Sequence, residues 1–187
     1  YHYPAARSAR VKWMLHEVVG DAFEVERVAL YDATQYSAEF LQLHPNHCVP
    51  VLEITWDAGE LQRMIESAAM VAFLADSYPD KRLAPPPEAS RERADYLQGA
   101  ARGGRSVRVS AHAATAADAR GLCGEAGCVA GHAILWARGY GLCRDEAFRR
   151  YLSAVSKRPA FASAFADARE FSPNVPQDKP IVAKFTG

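Results

Sequence analysis

Pro50 stands between two valines at the head of an apolar run, His47-Cys48-Val49-Pro50-Val51-Leu52-Glu53-Ile54. Proline has no main-chain N–H, so it is confined to sheet edges, bulges and first strand positions. A chain that puts one here must turn its backbone where a strand enters the core. The residues around it read as two strands, 49–56 and 60–65, joined at Asp57-Ala58-Gly59, a hairpin signal. At this level an edge-strand trans proline and a cis proline in a turn both remain open.

The flanking segments frame that hairpin. Tyr1 to Pro4 reads as the end of a strand, and the expectation is that a few residues precede it. Val11, Met14, Leu15, Val18 and Val19 recur at helical spacing, with Ser8 near the start and Gly20 at the end. The stretch 22–30 has strand content, Phe23 and Val25 alternating with Glu24 and Glu26. Ser37 is placed to cap a short helix that stops ahead of Pro45. Residues 67–78 form a strongly apolar helix ending before Pro79. The order is thus strand, helix, strand, helix, strand, strand, helix.

A proline-rich connector over 79–89 divides a domain at 1–78 from one at 90–187. The second part opens on a helix over 90–98. It closes on two more, one with Phe148, Tyr151, Leu152 and Val155 on a single face and one opening at Pro159, a good first helical residue. The tail from Phe171 holds too many prolines for a helix and is expected to lie over the surface.

The 187 residues suffice for one ample core or two modest domains. Acidic and basic residues balance at 22 each, which removes the footprint of a nucleic-acid or membrane-surface binder. No apolar run approaches the ~20 residues that span a bilayer, and no signal-peptide pattern opens the chain. Cys48, Cys123, Cys128 and Cys143 make no disulfide framework, so a reduced cytoplasmic setting is expected. Neither His44-Pro45-Asn46-His47-Cys48 nor Cys123 and Cys128 with His112 and His132 matches a compact zinc pattern, and no metal is expected. The basic run 102–108 lacks interleaved aromatics and reads as solvated.

The Val49-Pro50 pair ahead of a strand, with Glu66-Ser67-Ala68-Ala69 opening a helix at the right separation, resembles the cytosolic glutathione transferase family. The resemblance covers Tyr1 to about Gln98 and resumes from about Gly131. It implies an α/β thioredoxin-like N-terminal domain followed by an all-α C-terminal domain. It also implies a cis Pro50 that turns the main chain of Val49 toward the cysteinyl part of glutathione. Ser67, at a helix N-terminus that attracts anions, would hold the γ-glutamyl carboxylate, and Glu66 would face the ammonium. The plain alternative is that Ser67 only caps its own helix.

Enzymes of that family promote attack by the glutathione thiolate on an electrophile. Lowering the thiol pKa by ~2 units requires roughly 2.7 kcal/mol, within reach of one charge-assisted hydrogen bond at about 1.5–3 kcal/mol. The turn ahead of the first helix reads Ala5-Ala6-Arg7-Ser8. Ser8 is its one hydroxyl and the candidate for polarising the thiol, with Arg7 adding positive charge and Tyr3 as an outside candidate. The plain reading makes Ser8 a helix cap and Arg7 a solvated residue. With no cysteine in this turn, a route through a mixed disulfide is disfavoured; Cys48 reads as a small buried residue.

Residues 99–131 change character, with seven of the chain's twelve glycines and no aromatic residue. Glycine costs ~1 kcal/mol against alanine in a helix interior, and the stretch is shorter than the two long helices the family has there. A capping pattern at Thr115 to Asp118 precedes no apolar helix. The composition points to a deletion or an out-of-frame reading of a GC-rich gene, with the electrophile pocket compromised. The expected activity is conjugation of glutathione to a small apolar electrophile in a homodimeric detoxification enzyme. The alternative is a non-catalytic glutathione-binding or protein-interaction module.

Overall fold

The computed structural model describes residues 1–30, 32, 34–88, 90–103, 125–139 and 143–170. Residues 104–108 of the basic run, the Thr115–Asp118 pattern, Cys123, His112 and the tail from Phe171 lie outside them.

Helix α1, Ser8–Val19, forms where the apolar spacing expects it, and it ends at Gly20, whose φ of 65° suits a residue without a side chain. Val11, Met14 and Val18 are buried together with Trp13. Helix α2, Ala38–Leu43, starts at Ser37, whose hydroxyl accepts from Phe40 N–H at 3.2 Å. Strands β1, Leu52–Thr55, and β2, Leu61–Met64, pair antiparallel with Leu52 opposite Met64 and Thr55 opposite Leu61. Gly59 takes the positive φ of the turn between them. Helix α3, Ser67–Ser77, follows.

The strand expected over 22–30 is corrected. Among the described residues it contributes a single parallel bridge, His2 to Arg27, made by His2 N–H to Glu26 C=O at 2.7 Å and Val28 N–H to His2 C=O at 2.9 Å. Only His2 lies beside it, so only one rung forms. On its other side Tyr1 N donates to Val51 C=O at 2.9 Å. The first residues therefore sit between the 22–28 stretch and the hairpin.

Helix α4, Arg91–Gly103, is followed by α5, Glu125–Gly139, α6, Glu146–Val155, and α7, Pro159–Ala164. In α6 the buried set is Phe148, Tyr151, Leu152 and Val155, the face read from spacing. At both of its ends the glycine-rich stretch 99–131 is helical, inside α4 and from Glu125 onward. One of its glycines has a packing reason: a Cβ on Gly131 would lie 2.9 Å from Cζ3 of Trp13. The Gly127 carbonyl accepts from Tyr151 hydroxyl at 3.0 Å.

The main core joins α1 and α3 to the later helices through Trp13, Met14, Met70, Val71, Ile134 and Val155. Trp13 meets Phe161 edge-on, with ring centroids 5.1 Å apart, and donates from Nε1 to Glu17 at 2.9 Å. Arg158 grips the same carboxylate with Nε at 2.7 Å and Nη2 at 2.5 Å. Asp167 accepts from Lys12 Nζ at 2.9 Å and lies 3.0 Å from His2 Nε2. A smaller cluster of Val28, Phe40, Val49 and Val51 lies on the α2 side. No helix among the described residues is long and apolar enough to cross a membrane.

Candidate functional site

Three turns carry the residues singled out by sequence, and each contains a non-glycine residue with positive φ: Ala5 at 59°, His47 at 52° and Glu66 at 73°. Such conformations cost on the order of 1–3 kcal/mol each and cluster at ligand sites. The turns lie near one another. His44 has its pKa pushed down, first by burial, and it senses Glu66, His47 and Arg7.

The Val49–Pro50 bond is cis. The Val49 side chain is buried in the smaller cluster, which fixes its main chain. Neither main-chain group of Val49 pairs with another main-chain group among the described residues. Glu66 is the residue ahead of α3 and makes no side-chain cap; Ser67 is the first helical residue and is buried. The first main-chain bond of the helix runs from Met70 N–H to Glu66 C=O at 3.0 Å. That leaves the N–H groups of the opening turn for an acceptor from outside the helix.

The thiol-polarising assignment meets a different geometry. Ser8 is 2% exposed, and its hydroxyl accepts from Tyr3 N–H and donates to Tyr3 C=O, both at 3.1 Å. It closes the turn on itself. The residue ahead of the helix is Arg7, exposed and making no side-chain cap. A ligand sulfur would have to displace the Tyr3 carbonyl to receive the Ser8 hydrogen. Cys48, half-buried, donates from Sγ to Asn46 C=O at 3.0 Å.

Sequence reasoning passed over a buried pair under this turn. Arg10 Nη2 lies 3.0 Å from His132 Nδ1 of α5. Among the described residues, Arg10 Nε and Nη1 and His132 Nε2 have no hydrogen-bond partner. Burial, then Arg7, lowers the Arg10 pKa to about 10, with Cys128 acting the other way. Burial, then Arg10, lowers that of His132 to about 3, while the main chain at Ala5 and Ala6 opposes the shift. The signal was available: Arg10 and Glu17 fall seven apart on the α1 face that also carries Trp13 and Met14.

Residues 1–76 match the family described as glutathione S-transferase, N-terminal domain. The chain is 28% identical over 96 residues to glutathione S-transferase D7 of Anopheles gambiae, a match covering 51% of this chain and 42% of that protein. It thus spans less than half the length of this curated relative. Among solved structures, a glutathione transferase from Methylococcus capsulatus superposes with a TM-score of 0.75 at 23% identity, covering 91% of this chain and 98% of that one. A glutathione transferase homologue from Sulfitobacter, solved with bound glutathione, gives 0.70 at 16% identity over 89% and 96%. The fold is that of a thioredoxin-like domain joined to a helical one. Residues 1–76 thus match the N-terminal domain of the glutathione S-transferase family, and the chain as a whole has the fold of the solved glutathione transferases.

Proposed function

We propose that this chain binds glutathione between its three strained turns and conjugates it to a small apolar electrophile. In this reading Val49 offers its main chain to the cysteinyl part beside Pro50, and Ser67 with the opening turn of α3 takes the γ-glutamyl carboxylate. Glu66 faces the ammonium. Ser8, released from Tyr3, donates to the sulfur, and Arg7 favours the thiolate. The observation that carries the reading is the α3 N-terminus, with Ser67 at its head and no capping side chain, set among the three positive-φ turns. A cytoplasmic homodimer acting in detoxification completes the proposal.

A second reading has an observation of its own. The closure of the Ser8 hydroxyl on Tyr3 favours a non-catalytic glutathione-binding module. Retention on immobilised glutathione together with conjugation of an aryl halide supports the enzyme. Retention without conjugation supports the module. Absence of retention removes both.

A further inference from the structure

The turn that leads into α1 is strained at Ala5, whose φ of 59° lies outside the range alanine ordinarily takes. Ala6 N–H donates to Tyr3 C=O at 3.2 Å, and Ala6 C=O accepts from Ala9 N–H at 2.9 Å. Ala5 C=O, beside them, receives no main-chain donor among the described residues. A residue in such a conformation persists only where its surroundings over-determine it. Here the surroundings come from α5.

His132 lies under the turn, 4% exposed, its ring stacked on that of Phe165 with centroids 6.4 Å apart. A guanidinium donates and never accepts. The 3.0 Å contact with Arg10 Nη2 therefore makes His132 Nδ1 the acceptor. The ring is then neutral, with its proton on Nε2. That N–H is turned toward the carbonyls of Ala5 and Ala6, without closing to a full hydrogen bond among the described residues. The attraction is electrostatic and needs the proton on that side. The other tautomer would set a lone pair against the same carbonyls.

We propose that Arg10 and His132 are a positioning pair: Arg10 keeps the His132 Nε2–H aimed at the Ala5–Ala6 carbonyls, and that N–H holds the turn in the shape that presents Arg7 and Ser8 to a ligand sulfur. The last clause rests on the functional reading above; the holding of the turn does not. A buried guanidinium with no carboxylate is a costly way to fasten two helices, and apolar packing would fasten them better. Apolar packing cannot set a tautomer. The pair acts on turnover through Arg7 and Ser8, and it leaves the glutathione contacts at Val49, Glu66 and Ser67 alone.

Three variants separate this role from plain packing. His132→Leu removes the N–H, His132→Gln keeps an N–H in its place, and Arg10→Met removes the donor to Nδ1. Amide exchange at Tyr3, Ala6 and Ala9, each bonded within the turn, is read against that of Trp56 in the β1–β2 hairpin. Relative to Trp56, the turn amides should exchange roughly fivefold faster in His132→Leu and Arg10→Met, about the worth of one hydrogen bond. In His132→Gln they should stay within about twofold of the unmodified chain. Equal changes at the turn and at Trp56, or no rescue in His132→Gln, overturn the proposal.

Conjugation of an aryl halide reads the second half. His132→Leu and Arg10→Met should lose roughly fivefold in kcat at an unchanged KM for glutathione, and His132→Gln should recover it. Arg10→Met discriminates most sharply, because removal of a buried charge should raise its urea midpoint while its turnover falls. Loss confined to KM, or kcat that follows the urea midpoint across the three variants, overturns the link to the sulfur. An unmodified chain that does not conjugate removes that link together with the functional reading, and the exchange rates still decide whether the pair holds the turn.

Discussion

Arg10 of α1 and His132 of α5 meet 3.0 Å apart beneath the Ala5-Ala6 turn, with Arg10 only 3% exposed. The one hydrogen bond between them is the sole side-chain contact that the Arg10 guanidinium makes among the described residues. Among the described residues its Nε and Nη1 find no hydrogen-bond partner.

That imbalance predicts an inverted response to mutation. Replacing a buried charge with an apolar side chain of similar length is often stabilising by about 1–4 kcal/mol, whereas stripping a charge of its partner is destabilising. Arg10→Met should raise the urea midpoint. His132→Ala, which leaves Arg10 with no acceptor, should lower stability by about 1.5–3 kcal/mol. A lower midpoint for Arg10→Met would show that the charge is compensated in solution.

Acid should weaken the protein through two histidines. Burial, opposed by Asp167, holds His2 at about 4, and burial reinforced by Arg10 holds His132 at about 3. Both lie below the ordinary histidine value of about 6.5. The unfolded chain therefore binds more protons than the folded one between those values. Stability is full above pH 6.5 and falls as pH drops toward 4, by up to roughly 1.4 kcal/mol per pH unit for each ring. The depressed pKa of Asp167 removes more at lower pH still. Denaturation at pH 7.0, 5.5 and 4.5 checks the trend, and His2→Gln should flatten it; a flat wild-type profile contradicts the burial of both rings.

Gly131→Ala should destabilise despite sitting in a helix. The added methyl would meet Trp13 Cζ3 at 2.9 Å and Cη2 at 3.2 Å, and that ring is pinned by Glu17 and by Phe161. Overpacking costs about 1–3 kcal/mol and the helix gains about 1 kcal/mol. The net loss should be up to about 2 kcal/mol by chemical denaturation, with a changed tryptophan emission as Trp13 is displaced.

Ser67→Ala and Ser8→Ala should separate binding from turnover. A hydrogen bond to a charged group is worth about 1.5–3 kcal/mol, so Ser67→Ala should weaken glutathione affinity about tenfold or more by calorimetry. Ser8→Ala should leave affinity nearly unchanged, slow aryl halide conjugation, and lower stability by about 1–3 kcal/mol because Tyr3 N–H loses its acceptor. Unchanged turnover in Ser8→Ala would leave Ser8 as a turn clasp only.

Much of this fold could be read from periodicity because its helices bury one face each. The stripe from Val11 to Val19 and the face from Phe148 to Val155 fall where spacing put them. Glycine content carried no helix signal at Gly131, since propensity describes an exposed helix and the space beside this residue is occupied by Trp13. The strand reading at 22–30 is met by one rung: Phe23 and Val25 have strand chemistry, but a strand needs neighbours along its whole length, and among the described residues the stretch bridges only to His2. Within the candidate site, the short-range signals at Val49-Pro50 and Glu66-Ser67 were legible. The burial of Arg10 could be read from the α1 face it shares with Trp13 and Met14, but its pairing with His132 could not, because the two are 122 residues apart in the chain.

The grip of Asp167 on His2 and Lys12 has a consequence for biosynthesis. Chains emerge N-terminus first and tend to settle segment by segment, yet the carboxylate that receives His2 and Lys12 follows them by 165 and 155 residues. During translation both side chains must wait, unmatched, until Asp167 has left the ribosome. A nascent chain stalled short of that carboxylate would hold the segment around His2 loosely, open to proteases that the finished protein resists.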